Sequence, residues 1–321
     1  MRRVRLILFI AVIGVIVLLG LLAGPRMIDP FHLSDLDRRI LFSIRLPRVV
    51  VALLMGMALG ASGAVLQGVL RNPLADPYIL GISSGASLSA ALGLLTGFYF
   101  FGRLTVPVFA FIGALLVSVI VGAFGWKRGG LWPERLLLAG IGLNFLFSAV
   151  LMLLMSLSSD EGLRRAVLWM FGDLSMADWS LIPSAGAFAL IGLVIAVARS
   201  RALNALMLGD EIAWSLGFAV SRERLVLFAS MALMTSASVS LGGTIGFIGL
   251  LMPHIVRFLL GADSRVLVPA SAAAGGAFLC FADLVGRSLT PPLELPSGTV
   301  TAVFGAPYFL YLLRKKDVLT L

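Results

Sequence analysis

The sequence predicts an all-α membrane protein with about ten transmembrane helices. Hydrophobic residues make up 60% of the 321 residues and charged residues only 13%, whereas soluble domains carry about 25% charged residues. The apolar residues are collected in long segments, most of them near the ~20 residues that a helix needs to cross a bilayer. Lys and Arg concentrate in alternate connections between these segments, as they do in the cytoplasmic loops of membrane proteins.

Ten apolar segments can be drawn, and we treat residues 1–321 as one transmembrane domain. The segments cover about 6–24, 46–70, 79–101, 104–125, 135–157, 181–198, 225–241, 245–260, 267–286 and 299–313. Segments seven and eight meet at Gly242 and Gly243, so their separation is open. An even number of spans places both termini on one side, and the basic connections predict that this side is the cytoplasm. The first segment is too long for the apolar core of a signal peptide, which predicts a retained span.

The most informative stretch covers residues 45–85. Its apolar part carries small residues at every fourth position: Gly56, Gly60, Ala64 and Gly68. This spacing predicts a small-residue face, which lets a second helix backbone approach closely in lipid. The segment 72–77 (NPLADP) follows, and its two prolines exclude a regular helix. From the residues alone, this break is either a loop that lines a pathway or a plain turn.

Three blocks of motifs resemble the permease family of type II ABC importers, which carry iron-siderophores, haem and vitamin B12 into bacteria. The first block comprises RLPR at 45–48, GAVLQG at 63–68, RNPLADP at 71–77 and LGISSGA at 80–86. The second comprises GGTIGFIGL at 242–250 and PHIVR at 253–257, and the third ELPSGTVT at 294–301 and GAP at 305–307. The blocks extend in order across nearly the whole chain.

The resemblance implies a permease subunit of an ATP-driven importer in the bacterial inner membrane. It implies a homodimer that works with two ATPase subunits and with one periplasmic or lipid-anchored substrate-binding protein. The expected cargo is a metal chelate, with a ferric siderophore as the first expectation and cobalamin or haem as alternatives. The sequence contains no GxxxxGK[ST] phosphate loop, so a separate chain would hydrolyse ATP and this subunit is not expected to be an enzyme. We expect no cofactor on this chain, contact with membrane lipid, and no nucleic-acid partner.

Three arginines at the outer ends of predicted spans are expected to dock the binding protein: Arg45, Arg48 and Arg287. Positive charge is disfavoured on the outer side, and in the resembled family arginines at these positions dock acidic residues of the binding protein. Such charge pairs steer association and fix its register. The alternative is that these side chains extend to lipid phosphates at the interface. Asp283 lies four residues before Arg287, a spacing at which the two side chains can pair.

The connection at about 199–224 is expected to couple the permease to the ATPase. Its stretch 204–217 (NALMLGDEIAWSLG) predicts two short amphipathic helices with a break at Gly209. We expect Asp210 to cap the second helix and Glu211 to lie in its first turn. The resembled family seats its coupling helices here in a groove of the ATPase. The coupling candidates are Asn204, Leu206, Leu208, Gly209, Asp210, Glu211, Leu216 and Gly217.

Two short segments are candidates for the inner gate. They are Asn72 and Leu74 before span three, and Pro133 and Glu134 before span five. The resembled family narrows its pathway at these two places. Pro133 and Glu134 depart from the small hydroxyl residues that some members carry there.

Two other classes of function remain as alternatives, a secondary carrier and an intramembrane enzyme. No carboxylate lies in the middle of a predicted span, which disfavours a proton-coupled carrier. The sequence shows no catalytic set of residues, which disfavours the enzyme. The two histidines, His32 and His254, lie at opposite ends of the predicted topology, so we expect no metal site on this chain.

Overall fold

A computed structural model describes residues 2–97, 100–127, 129–158, 160–175, 177–289 and 293–314. The helices of the first half are α1 (Arg2–Leu22), α2 (Asp35–Ile40), α3 (Leu46–Leu70), α4 (Ile82–Thr96), α5 (Thr105–Gly125), α6 (Pro133–Ser156) and α7 (Asp160–Met170). Those of the second half are α8 (Ile182–Ala198), α9 (Ser200–Met207), α10 (Asp210–Ser215), α11 (Val220–Gly242), α12 (Ile248–Leu260), α13 (Ser264–Ser288) and α14 (Ser297–Arg314).

Shorter elements connect several of these helices. A π-helical turn, Leu41–Arg45, joins α2 to α3, and 3₁₀ turns at Pro77–Leu80, Gly102–Leu104 and Trp179–Leu181 precede α4, α5 and α8. Strands β1 (Trp126–Lys127) and β2 (Gly130–Leu131) form an antiparallel hairpin between α5 and α6, in which Trp126 pairs with Leu131.

Every predicted apolar segment coincides with a helix, which confirms the all-α membrane fold. The ten helices are α1, α3, α4, α5, α6, α8, α11, α12, α13 and α14. Within the described residues, seven helices are long and apolar enough to cross a membrane, whereas α4 and α12 have 15 and 13 residues. The expected number of about ten therefore counts apolar helices rather than full-length spans. Segments seven and eight are separate, because α11 ends at Gly242 and α12 begins at Ile248.

Two helices lie where the sequence predicted only polar connections. Helix α2 begins with a capping box, in which Ser34 Oγ accepts from the Asp37 amide at 3.2 Å and the Asp37 carboxylate accepts from the Ser34 amide at 3.3 Å. Helix α7 is amphipathic, burying Gly162 and Ala166 and exposing Glu161. A search for uninterrupted apolar runs overlooks such helices, because only one of their faces is buried.

Helices α3 and α13 form the closely packed centre of the bundle. A Cβ atom added at Gly56 would lie 2.1 Å from the carbonyl oxygen of Gly275, and one at Gly60 would lie 2.1 Å from that of Ser271. On the same stretch of α3, a Cβ at Gly63 would lie 1.9 Å from the carbonyl oxygen of Gly249 in α12. The predicted small-residue face is thus confirmed at Gly56 and Gly60, which pack against α13, whereas Gly68 faces the side chain of Leu203 in α9.

The two ends of the bundle carry different candidate sites. We name the end with residues 199–224 the inner end and the opposite end the outer end, following the predicted orientation. Helices α3 and α14 run towards the inner end, and α1 and α13 run away from it.

Candidate functional site

At the outer end, Arg48 lies in a buried cluster of charged side chains. Its Nε donates to both carboxylate oxygens of Asp283, at 2.9 and 3.0 Å, and its Nη1 donates to Glu294 Oε2 at 2.7 Å. Asp283 is 2% exposed and also accepts from Ser297 Oγ at 3.2 Å. The cluster therefore joins α3, α13 and the start of α14.

Arg287 belongs to the same cluster and also contacts α1. Its Nε lies 3.6 Å from Asp283 Oδ2, so the predicted pairing at four-residue spacing is confirmed. Its Nη2 donates to the carbonyl oxygen of Gly20. Two cations, Arg48 and Arg287, thus share the carboxylate of Asp283.

Arg45 binds the end of α1. Its Nη1 donates to the carbonyl oxygens of Leu21 and Leu22, at 3.1 and 2.7 Å, and its Nη2 donates to that of Arg26. Helix α1 ends at Leu22, so these carbonyls include groups that the helix itself leaves unsatisfied. A cation at this position also favours the negative end of the helix dipole.

All three predicted docking arginines therefore already make bonds within the chain. Arg45, Arg48 and Arg287 are buried, each 4 to 7% exposed, and each binds groups of neighbouring helices. Docking through them stays a prediction, and it would require these internal bonds to open. The sequence predicts the pairing of Asp283 with Arg287 but not its bonds to Arg48. The sequence signal that could have indicated this bond is the position of Asp283 and Arg48, each at the outer end of an apolar segment.

The first two motif blocks meet inside the bundle around Gln67, which is fully buried. Its Nε2 donates to the carbonyl oxygens of Gly249 and Leu250, both at 3.3 Å. The Tyr78 hydroxyl accepts from the backbone N–H of Ile245 at 3.2 Å. These bonds satisfy backbone groups of the non-helical segment 243–247 and of the first turn of α12. Irregular backbone at membrane depth requires such protein partners.

The predicted break after α3 is confirmed. Helix α3 ends at Leu70, and its C-cap residue, Arg71, has a φ of 51°, in the left-handed region that disfavours residues with a Cβ. Asn72 Oδ1 then accepts from the Leu74 amide at 2.9 Å, and the half-buried Leu74 continues the turn. The second gate candidate begins α6, where Pro133 occupies the first turn and Glu134 is exposed. Proline and an acid both suit a helix start.

The predicted helix pair of the coupling segment is α9 and α10, with the break at Gly209 (φ 118°). Gly217 ends the pair with φ 85°, and Glu211 lies exposed in the first turn of α10, as predicted. In this segment four large apolar side chains are exposed, and we name them the coupling surface: Leu208, Ile212, Trp214 and Leu216. Leu206, in contrast, is 1% exposed and packs in the core.

A groove of about 250 Å³ adjoins the coupling surface. It is lined by Arg201, Asn204, Ala205, Leu208, Leu216, Phe218 and Arg265. Asn204 fixes the position of α9 against α13, since it donates to Asp263 Oδ1 at 2.8 Å and accepts from the Ser264 amide at 2.8 Å. The bond from Asn204 and that from the Arg265 amide hold the pKa of Asp263 at about 2, so this carboxylate stays charged.

Asp210 does not cap α10, contrary to the prediction, because Gly209 occupies the cap position and makes no side-chain bond. Its Oδ1 instead lies 2.6 Å from Arg224 Nη2 and 3.3 Å from Arg71 Nη2. The Nη1 of Arg224 donates to the carbonyl oxygen of Leu131 at 2.9 Å. One carboxylate of the coupling segment is thus connected to the residue before Asn72 and, through Arg224, to the hairpin before α6.

Comparisons with known proteins agree with these features. Residues 6–315 match the FecCD transport family. The chain is 42% identical to the hemin transport system permease protein HmuU of Yersinia pestis, over 88% of this chain and 85% of that protein. It is 37% identical to the iron(3+)-hydroxamate import system permease protein FhuG of Bacillus subtilis, over 88% of this chain and 85% of that protein.

A solved structure shows the same fold. It is described as a metal-chelate type ABC transporter in an inward-facing conformation, and it superposes with a TM-score of 0.87 and 31% sequence identity over 96% of this chain and 97% of that one. The family match, the two relatives and the shared fold cover nearly the whole described bundle, including both of its ends. The chain therefore belongs to the FecCD transport family and is a multi-pass permease of the type II ABC importer class.

Proposed function

We propose that this permease imports a ferric siderophore across the bacterial inner membrane as a homodimer, with two ATPase subunits at the inner end and one binding protein at the outer end. Haem and cobalamin are the alternative cargoes. The likeness to an iron(3+)-hydroxamate permease supports the first cargo and the likeness to a hemin permease supports an alternative.

The proposal of an ATP-driven mechanism rests on one observation, the exposed coupling surface. Trp214 is 76% exposed and Leu208 63% exposed, at a place outside the apolar spans. Apolar side chains of this size are unfavourable in water, and a contiguous patch of them marks an interaction site. The adjoining groove gives the partner a concave seat, and an ATPase chain would supply the phosphate-binding loop that this sequence lacks.

The expected result of reconstitution is ATP-dependent uptake. The permease and its ATPase would be placed in liposomes, with its binding protein and labelled ferric siderophore, hemin or cobalamin on the outer side. We expect uptake of the ferric siderophore to require ATP and to persist with a proton uncoupler. Uptake driven by a pH gradient without ATP would contradict the importer, and ATP-driven uptake of hemin or cobalamin alone would change only the cargo.

The bonds of Asp210 provide a route from the coupling segment to both gate candidates. Movement of α10 would displace a carboxylate that holds Arg71, next to Asn72 and Leu74, and Arg224, which binds the hairpin before Pro133 and Glu134. Because one carboxylate oxygen pairs with both arginines, the two gate segments would move together. This arrangement supports the proposal that the connection at 199–224 transmits the nucleotide-driven motion.

Asp210→Asn is expected to lower transport per ATP several-fold while the ATPase still assembles. The amide retains the size of the carboxylate and loses its charge, so both arginine bonds weaken, while the apolar coupling surface is unchanged. Uptake and ATP hydrolysis would be measured in the same liposomes. Arg222→Gln is the matched control, because Arg222 is an exposed charge at the same end of α11. An unchanged ratio of uptake to hydrolysis in Asp210→Asn would show that the motion is transmitted elsewhere.

A further inference from the structure

A cavity of about 570 Å³ lies at the inner end, between the start of α1 and the end of α12. It is lined by Arg5, Arg257, Phe258, Leu259, Leu260, Gly261, Ala262 and Asp263. Two of these side chains are cationic, and three are large and apolar. The docking and coupling candidates described above do not include any of them.

Arg257 is half-buried and makes little hydrogen bonding inside the protein. Its Nε is buried without a hydrogen-bond partner, and its Nη2 makes one long bond, 3.4 Å, to Gln67 Oε1. No carboxylate of the described residues lies within 4.0 Å of its guanidinium nitrogens, whereas Arg48 contacts two carboxylates and Arg224 contacts one. A cation that is partly desolvated and has no counter-ion is unfavourable, so an anion in the cavity beside Arg257 would be stabilising.

The one carboxylate among these lining residues, that of Asp263, does not fill this need. Its Oδ1 accepts from Asn204 Nδ2 at 2.8 Å, from the Arg265 amide at 3.0 Å and from Arg265 Nε at 3.2 Å. Its charge is therefore already satisfied by the coupling segment and by α13.

The surroundings of the cavity indicate where the anion comes from. Phe258 is 82% exposed, and α1 lies at the periphery of the bundle, with 6% of its most apolar window buried. Arg5 is exposed and is the second residue of the apolar span Val4–Leu22, so in a membrane it would lie near the lipid headgroups. In a membrane a lipid would be adjacent to the cavity, and a phospholipid combines the required anion with acyl chains that suit Phe258 and Leu259.

We propose that this cavity binds the phosphate of an anionic phospholipid from the inner leaflet. Arg257 and Arg5 donate to the phosphate oxygens, while Phe258 and Leu259 contact the acyl chains. Basic pockets between transmembrane helices on the cytoplasmic side recognise lipid headgroups in this way, and charge-assisted bonds from guanidinium to phosphate are short and strong. This site goes beyond the proposed transport function and does not depend on the cargo.

The test measures lipid retained by the purified full-length permease. The protein would be extracted from nanodiscs of equimolar phosphatidylglycerol and phosphatidylcholine, and the retained lipids counted by native mass spectrometry. We expect the wild type to retain phosphatidylglycerol selectively, and Arg257→Gln and Arg5→Gln each to reduce that retention several-fold. Arg222→Gln, an exposed inner-end arginine outside the cavity, should retain as much phosphatidylglycerol as the wild type.

Arg5→Gln decides the result if Arg257→Gln fails to fold, because Arg5 is exposed at the cavity mouth. Equal retention of the two lipids, or unchanged phosphatidylglycerol in Arg5→Gln, would overturn the proposal. Inorganic phosphate that raises the melting temperature as much as phosphatidylglycerol would assign the cavity to a free anion instead. Loss of ATPase co-purification in Arg5→Gln with unchanged lipid retention would assign it to the ATPase interface. None of these measurements depends on transport activity. A negative result here can therefore be distinguished from a failure of the proposed function.

Discussion

Asp283→Ala is expected to destabilise the folded permease more than any other single removal of charge. The substitution leaves Arg48 and Arg287 buried without the carboxylate that they share. Removing one partner of a buried ion pair costs about 3–5 kcal/mol, because the remaining charge is uncompensated. The measurement is the midpoint of thermal unfolding in detergent, followed by the monodispersity of the protein on size exclusion.

Glu294→Gln is the matched control for this cluster. Glu294 contacts the same Arg48, but its side chain is 40% exposed, so water can replace the lost charge. We expect its unfolding midpoint to lie much nearer to that of the wild type. Equal midpoints for Asp283→Ala and the wild type would show that the arginines find other partners, and would favour their predicted role in docking.

Gly56→Val is the second substitution with a large expected effect. A Cβ at Gly56 would lie 2.1 Å from the carbonyl oxygen of Gly275 and 2.8 Å from the Cα of Gly276. Both contacts are to backbone atoms, so no side chain can rotate away and α3 and α13 must separate. Overpacking of a core costs about 1–3 kcal/mol, and more where the backbone must move. We expect a strongly reduced yield of folded protein and a lower unfolding midpoint.

Gly14→Val is the control for the Gly56 substitution. It introduces the same side chain into an apolar helix, but a Cβ at Gly14 would meet no atom within 4 Å. Its yield and unfolding midpoint should therefore match those of the wild type. If both variants behaved alike, the close approach of α3 and α13 would not limit stability.

The sequence by itself determined those features that depend on neighbouring residues. Apolar segment length predicted the ten helices, prolines predicted the break at 72–77, and Gly209 predicted the boundary between α9 and α10. Small residues at every fourth position predicted a close helix contact. Each of these features follows from local sterics or helical periodicity, and both depend only on residues that lie close together in the sequence.

The tertiary structure alone decided which residues meet. Arg48 and Asp283 are 235 residues apart in the chain, so their bond depends on the packing of α3 against α13. The same packing places Arg45 and Arg287 at the end of α1, where the expected surface charges become internal bonds. Asp210 likewise binds Arg71 and Arg224 across the inner end instead of capping its own helix. A charged side chain takes the partner that lies nearest after folding, and sequence distance does not encode that proximity.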